Sequence, residues 1–164
     1  YTGGPFPLGY NGLGDIFVFV YFGIVATMTT YYLNTLEWSS MSFWASVIPG
    51  ALSTNILVVN NLRDVAQDKL SGKKTLGVLL GEKALQWEYT LLLALALAIP
   101  PHFYFRLDAS LCIFFPYLSI PLSLKLLAEI WSHQKKSTLN GTLEKTAAFM
   151  FIYGVLFAIG LLIP

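Results

Sequence analysis

Charge is what this sequence has least of: Asp, Glu, Lys and Arg make up 12% of its 164 residues, where a soluble domain carries about 25%. A chain so poor in charge and 55% hydrophobic cannot cover a water-facing surface, and its composition points to a bilayer as the solvent. Cysteine is equally scarce. Cys112 stands alone inside an apolar run, which excludes a disulfide within the chain and a cysteine-based metal site. The histidines, His102 and His133, have no second ligand at metal spacing, so structural or interfacial roles are expected of them. The net charge is +1 and the basic residues sit mostly in connections, so no nucleic-acid partner is expected. No secretory signal is evident and the first residue is Tyr1 rather than Met, so the chain is expected to be a processed product or a piece of a longer protein.

What the sequence does have is apolar runs. Five follow one another at residues 16–33, 43–59, 89–105, 109–127 and 147–163, each close to the ~17–25 residues a transmembrane helix needs. The expected fold is therefore all-α and integral to a membrane, a bundle of five spans. Pro49-Gly50, Pro100-Pro101, Pro116 and Pro121 interrupt the runs. Membrane helices tolerate such interruptions, and kinks are expected there.

The distribution of basic residues sets the orientation. Arg63, Lys69, Lys73, Lys74 and Lys83 lie between the second and third runs, and Lys125, Lys135, Lys136 and Lys145 cluster near the connection between the fourth and fifth. The opposite connections hold only Arg106. The basic side is expected to face the cytoplasm, with the amino-terminal loop on that side and the carboxyl terminus outside.

One stretch concentrates polar groups between two apolar runs: Asn60-Asn61-Leu62-Arg63-Asp64, then Asp68, Lys69, Gly72, Lys73, Lys74 and Thr75. Asp64 and Asp68 are four apart, so a helix stacks both carboxylates on one face, where like charges repel by roughly 0.2–0.5 kcal/mol unless a cation sits between them. A hard divalent ion such as Mg²⁺ would remove that repulsion. Mg²⁺ is usually held by one or two carboxylates together with substrate phosphates, so Asp64 and Asp68 beside Arg63, Lys73 and Lys74 supply both halves of a Mg-diphosphate clamp. Asn60 and Asn61 add neutral donors and acceptors. The plainer alternative is a solvated helix end in which the carboxylates pair with Arg63, Lys69 and Lys73.

Residues 1–15 contain five glycines and two prolines, which reads as a compact loop entering the first run on the side of the aspartates. Tyr1 and Tyr10 in that loop are candidates to stack on an aromatic acceptor or donate to it; interfacial anchoring is the alternative. The connection from Ser132 to Lys145 is the third polar element on this side, and its charges most simply solvate a loop and contact anionic lipid. Among the aromatic residues of the spans, Phe17, Phe19, Tyr21, Phe22, Tyr31 and Tyr32 are mostly expected to pack or face lipid, with a few lining an isoprenoid tunnel.

The Asn60-to-Leu76 stretch and the segment Tyr1-Thr2-Gly3-Gly4-Pro5…Gly12-Leu13-Gly14-Asp15 together resemble the UbiA superfamily of intramembrane aromatic prenyltransferases, in its 1,4-dihydroxy-2-naphthoate branch. The first resembles the family's second aspartate-rich motif, the second the loop before its fifth transmembrane helix, and the likeness continues through Leu143-Glu144-Lys145-Thr146-Ala147. The resemblance implies a nine-helix fold in which two aspartate motifs hold Mg²⁺ on a prenyl diphosphate. The first motif and about four helices have no counterpart here, so residues 1–164 look like the carboxyl-terminal part of such a domain, with the missing helices of the same enzyme as partners.

Also implied are a polyprenyl diphosphate donor, a 1,4-dihydroxy-2-naphthoate acceptor, transfer with decarboxylation to demethylmenaquinone for menaquinone biosynthesis, and a place in the bacterial inner membrane. Asp64 and Asp68 then hold metal, while Arg63, Lys73, Lys74, Asn60 and Asn61 meet the diphosphate. A different acceptor, such as 4-hydroxybenzoate or homogentisate, is the alternative within the family. A transporter half or a non-catalytic assembly subunit are the alternatives outside it. Transport is disfavoured because the strongest charges lie outside the spans.

Overall fold

A computed structural model describes residues 8–10, 12–133 and 136–164. Among these no strand forms and helices follow the apolar runs. Helix α1 spans Gly14–Thr35, α2 Ser40–Leu70, a short α3 Leu76–Leu80, α4 Glu82–Arg106, α5 Leu111–Ser132, and α6 Leu139–Leu162, which a single 3₁₀ turn at Lys136–Thr138 leads into.

In lipid a backbone must satisfy its own hydrogen bonds, so helix is the only open choice for these runs. Four helices, α1, α2, α5 and α6 with its leading turn, are long and apolar enough to cross a membrane. The sequence leads one to expect five. The third run does form a helix of 25 residues, but α4 begins at Glu82 rather than near Tyr89 and is not among the four.

Helix α2 has 31 residues, about 46 Å at 1.5 Å per residue, against a hydrocarbon core of ~30 Å. It therefore outlasts the apolar run 43–59, and the polar motif rides on its last three turns instead of in a loop. Ser39 starts it by accepting from the Met41 amide at 3.1 Å, one of the orphan donors of a helix start.

Both α2 and α4 run on through their prolines, Pro49 and Pro100-Pro101. The Pro116 segment instead tightens into a 3₁₀ helix at Leu111–Ser119, and Pro121 opens the α-helical remainder of α5, a position where a missing N–H costs nothing.

Packing centres on α2, which contacts α1, α4 and α6. Of the apolar window of α2, 61% is buried, against 6% for α1, so α2 is the hub and α1 an edge. Small residues bring backbones together, as expected where helix association depends on close packing: Gly23 of α1 meets Gly50 of α2, and Gly160 of α6 meets the Cys112 carbonyl of α5. Buried polar groups tie α4 to its neighbours, with Gln86 donating to the Ile130 carbonyl (2.9 Å), Tyr153 to the Ala96 carbonyl (2.9 Å), and Tyr89 sharing a bond with Thr146 (3.2 Å).

Candidate functional site

The end of α2 gathers the charged groups that the sequence singles out. Arg63 grips Asp64 side-on, Nε to Oδ1 and Nη2 to Oδ2, both at 2.7 Å. Its Nη2 also donates to Asn60 Oδ1 at 2.7 Å, and its Nη1 to Asn140 Oδ1 at 3.0 Å. One turn on, Asp68 is 3% exposed and accepts from Lys73 Nζ at 2.6 Å.

The chain reaches that pairing by turning back after α2. Gly72 takes a φ of 72°, a conformation that glycine adopts without strain, and the Lys73 amide then donates to the Asp68 carbonyl at 3.0 Å. The hydrogen bond to Asp68 holds the Lys73 ammonium above the usual lysine range, and the negative charge of Asp64 adds to the effect. Asp64 and Asp68 thus each have a cation, and Lys73 feels both. The repulsion expected of carboxylates four apart is relieved within the chain.

Tyr10 and Gly12 lie against this turn. The Lys74 amide donates to the Tyr10 carbonyl at 2.9 Å, the Tyr10 ring lies 5.5 Å from Lys73 Nζ, and a Cβ on Gly12 would meet the Lys74 carbonyl at 2.9 Å. The Lys74 side chain is exposed. Tyr10 is therefore beside the basic turn, as a loop on the aspartate side should be, whereas Tyr1 lies outside the described residues.

Asn61 goes elsewhere. Successive helical residues are turned by about 100°, and the Asn61 amide is buried against α1, where it donates to Asp15 Oδ1 at 3.3 Å. Asn60 joins the Arg63 cluster; Asn61 does not. Asp15, with Thr54 of α2 and Glu88 of α4, lines a cavity of about 220 Å³.

A larger, apolar groove of about 680 Å³ runs along α1 and α2 between Leu8, Phe17, Val18, Tyr21, Phe22 and Leu57. Three aromatic residues of the first span line it, with Phe17 and Tyr21 stacked at 5.6 Å. Leu8, at its end, is two residues from Tyr10.

The 132–145 connection is more involved than its charges suggest. Lys136 pairs with Glu82 at 2.5 Å and donates to the Leu62 carbonyl at 3.0 Å. His133 approaches the same Glu82 at 3.4 Å and contacts the Ile130 carbonyl. Lys136 holds the Glu82 carboxyl below its ordinary range. Asn140, the acceptor of Arg63, has no signal in the sequence; only the crossing of α2 and α6 brings it there.

Among the described residues no group of three or more His, Cys, Asp and Glu side chains could hold a metal. The donor set at the end of α2 is two carboxylates and an amide oxygen, all hard ligands. Such a set suits a cation that completes its shell with water and phosphate oxygens, and fits Mg²⁺ only on those terms.

Comparison with known proteins adds the family. The family model described as the UbiA prenyltransferase family matches residues 1–155. Proteins named 1,4-dihydroxy-2-naphthoate octaprenyltransferase are similar to this chain in Haemophilus influenzae (35% identical over 99% of the chain and 53% of that protein), Mycobacterium tuberculosis (35% over 94% and 52%) and Escherichia coli (33% over 98% and 52%). The chain spans about half the length of these curated relatives. With a match that covers all but its last nine residues, an all-helical fold and helices fit to span a membrane, the chain belongs to the UbiA prenyltransferase family.

Proposed function

We propose that the protein carrying this chain transfers a polyprenyl group from polyprenyl diphosphate to 1,4-dihydroxy-2-naphthoate with loss of the acceptor's carboxylate, and that residues 1–164 are the carboxyl-terminal part of its catalytic domain. The observation that carries the reading is the end of α2, where two carboxylates and two basic side chains meet beside an apolar groove. An anionic head and a long apolar tail need that juxtaposition. The names of the relatives support the acceptor.

In this reading Asp64 and Asp68 would hold Mg²⁺, with Asn60 alongside, and a divalent ion there would supply charge stabilisation for the departing diphosphate. Arg63 offers its fork to phosphate oxygens, and Lys73 and Lys74 act as point charges. The bond from the prenyl C1 to oxygen breaks, its electron pair leaving with the diphosphate. A ring carbon of the acceptor bonds to C1, and release of the carboxylate as CO₂ returns its electron pair to the ring. Phe17, Tyr21 and Phe22 seat the apolar tail. Tyr10, beside the basic turn, would meet the acceptor.

The basic turn and the connections around it face the cytoplasm of a bacterial inner membrane in this proposal, following the charge bias of the connections. Soluble acceptors and Mg²⁺ are then at hand.

The acceptor is tested directly. Purified full-length protein offered dihydroxynaphthoate, 4-hydroxybenzoate and homogentisate with one prenyl diphosphate is expected to turn over the naphthoate at least about tenfold faster, the discrimination a fitted ring pocket can supply. Turnover of the benzoate alone would sink the assignment.

A further inference from the structure

Every nitrogen of the Arg63 guanidinium has an acceptor, and the acceptors are not alike. Asp64 takes Nε and Nη2 and neutralises the charge. Asn60 and Asn140 hold Nη2 and Nη1 through neutral amide oxygens. An arginine only donates, so each amide must present its oxygen. Asn60 comes from the same helix, three residues away. Asn140 comes from the first turn of α6, 77 positions along the chain, and reaches Arg63 across the bundle. Four residues before it, Lys136 fastens the same segment to the Leu62 carbonyl and to Glu82, so the placement of Asn140 is braced on both sides of the motif.

A neutral acceptor does what a carboxylate cannot: it fixes a cation without cancelling its charge. Were Asp64 to turn its oxygens to a hard ion, Arg63 would lose its counter-charge and keep its tether to Asn140. Its positive charge would then be available to an arriving anion in an orientation already fixed, which lowers the ordering cost of binding. We infer that Asn140 is a positioning residue that keeps Arg63 in place as an uncompensated charge for the diphosphate, so that α6 takes part in diphosphate binding through Arg63. The inference rests on the diphosphate reading of the site.

Full-length protein in detergent, titrated calorimetrically with Mg²⁺ and inorganic pyrophosphate, tests it without turnover. Asn140 is exposed, so its variants should fold. Asn140→Ala is expected to weaken pyrophosphate binding by about fivefold, the worth of one typical hydrogen bond near solvent. Asn140→Asp keeps the hydrogen bond but puts a second carboxylate on Arg63, and is expected to bind more weakly still. In an Arg63→Ala background, Asn140→Ala should make no further difference. A tie that merely braced α6 against α2 would leave Asn140→Asp as good as the unaltered protein. That result, or an Asn140→Ala effect that persists without Arg63, would overturn the inference alone. Absence of pyrophosphate binding by the unaltered protein would remove the site reading beneath it, and the inference with it.

Discussion

Asp64→Ala and Asp68→Ala, each made in the full-length protein, are expected to lower prenyl transfer by about a hundredfold or more, the loss seen when one preorganised group that stabilises a leaving charge is removed. Each substitution deletes a hard oxygen ligand and frees one cation, Arg63 in the first case and Lys73 in the second. Folding should survive. The Arg63 side chain is 29% exposed and that of Lys73 32%, so the group left behind can turn to water. The more searching variant is Asp68→Asn, which keeps the volume and an acceptor for Lys73 in that buried position and removes only the charge. It should be nearly as inactive as the alanine. Lys69→Ala, on the exposed side of the same turn, should lose little. Initial rates against Mg²⁺ concentration for this set provide the check. Near-normal rates in both aspartate variants would mean that the two ion pairs are only the solvated end of a helix.

That plainer reading has some support in the geometry, because Arg63 and Lys73 do pair with the aspartates as it requires. What it does not account for is the burial of Asp68, the Tyr10 ring beside Lys73 and the reach of Asn140 to Arg63. Surface ion pairs contribute little stability, and contacts from two other segments, Tyr10 on one pair and Asn140 on the other, are more than a solvated helix end requires.

The helices were legible because lipid leaves so few choices. A run such as 147–163 cannot expose its backbone to hydrocarbon, and α6 covers it. Where the chain leaves the bilayer the constraint lapses: the spacing of Asp64 and Asp68 suits a helix, but nothing in residues 60–70 marks that helix as an unbroken continuation of the run 43–59, and α2 continues to Leu70. Within the site the sequence placed the groups that carry charge. It could not separate Asn60 from Asn61, identical neighbours that the turn of the helix sends to Arg63 and to Asp15. Nor could it find Asn140, a neutral residue in a connection whose lysines drew attention first.

Close helix crossing is where the fold is most exposed to a single change. A Cβ on Gly23 would sit 2.6 Å from the Gly50 Cα and 2.7 Å from the Ser46 carbonyl oxygen, where carbon contacts settle at about 3.5–4.0 Å. The obstacles are backbone atoms, which cannot rotate aside. Gly23→Val must therefore push α1 and α2 apart by roughly 1 Å, and overpacking of this kind costs about 1–3 kcal/mol. Among the described residues α1 packs chiefly on α2. The displaced helix carries Asp15 away from Asn61 and the Phe17–Tyr21 face away from Leu57, so the groove opens at the point where the proposed tail would enter. Gly23→Val is expected to lower the thermal midpoint in detergent by several degrees and to reduce prenyl transfer about tenfold, in proportion to the binding energy lost. Gly154→Val is the control, because a Cβ there meets nothing within 4 Å, and it should match the unaltered protein in both measurements. Equal midpoints for the two valine variants would show that α1 tolerates separation from α2, and the crossing would then have no part in shaping the groove.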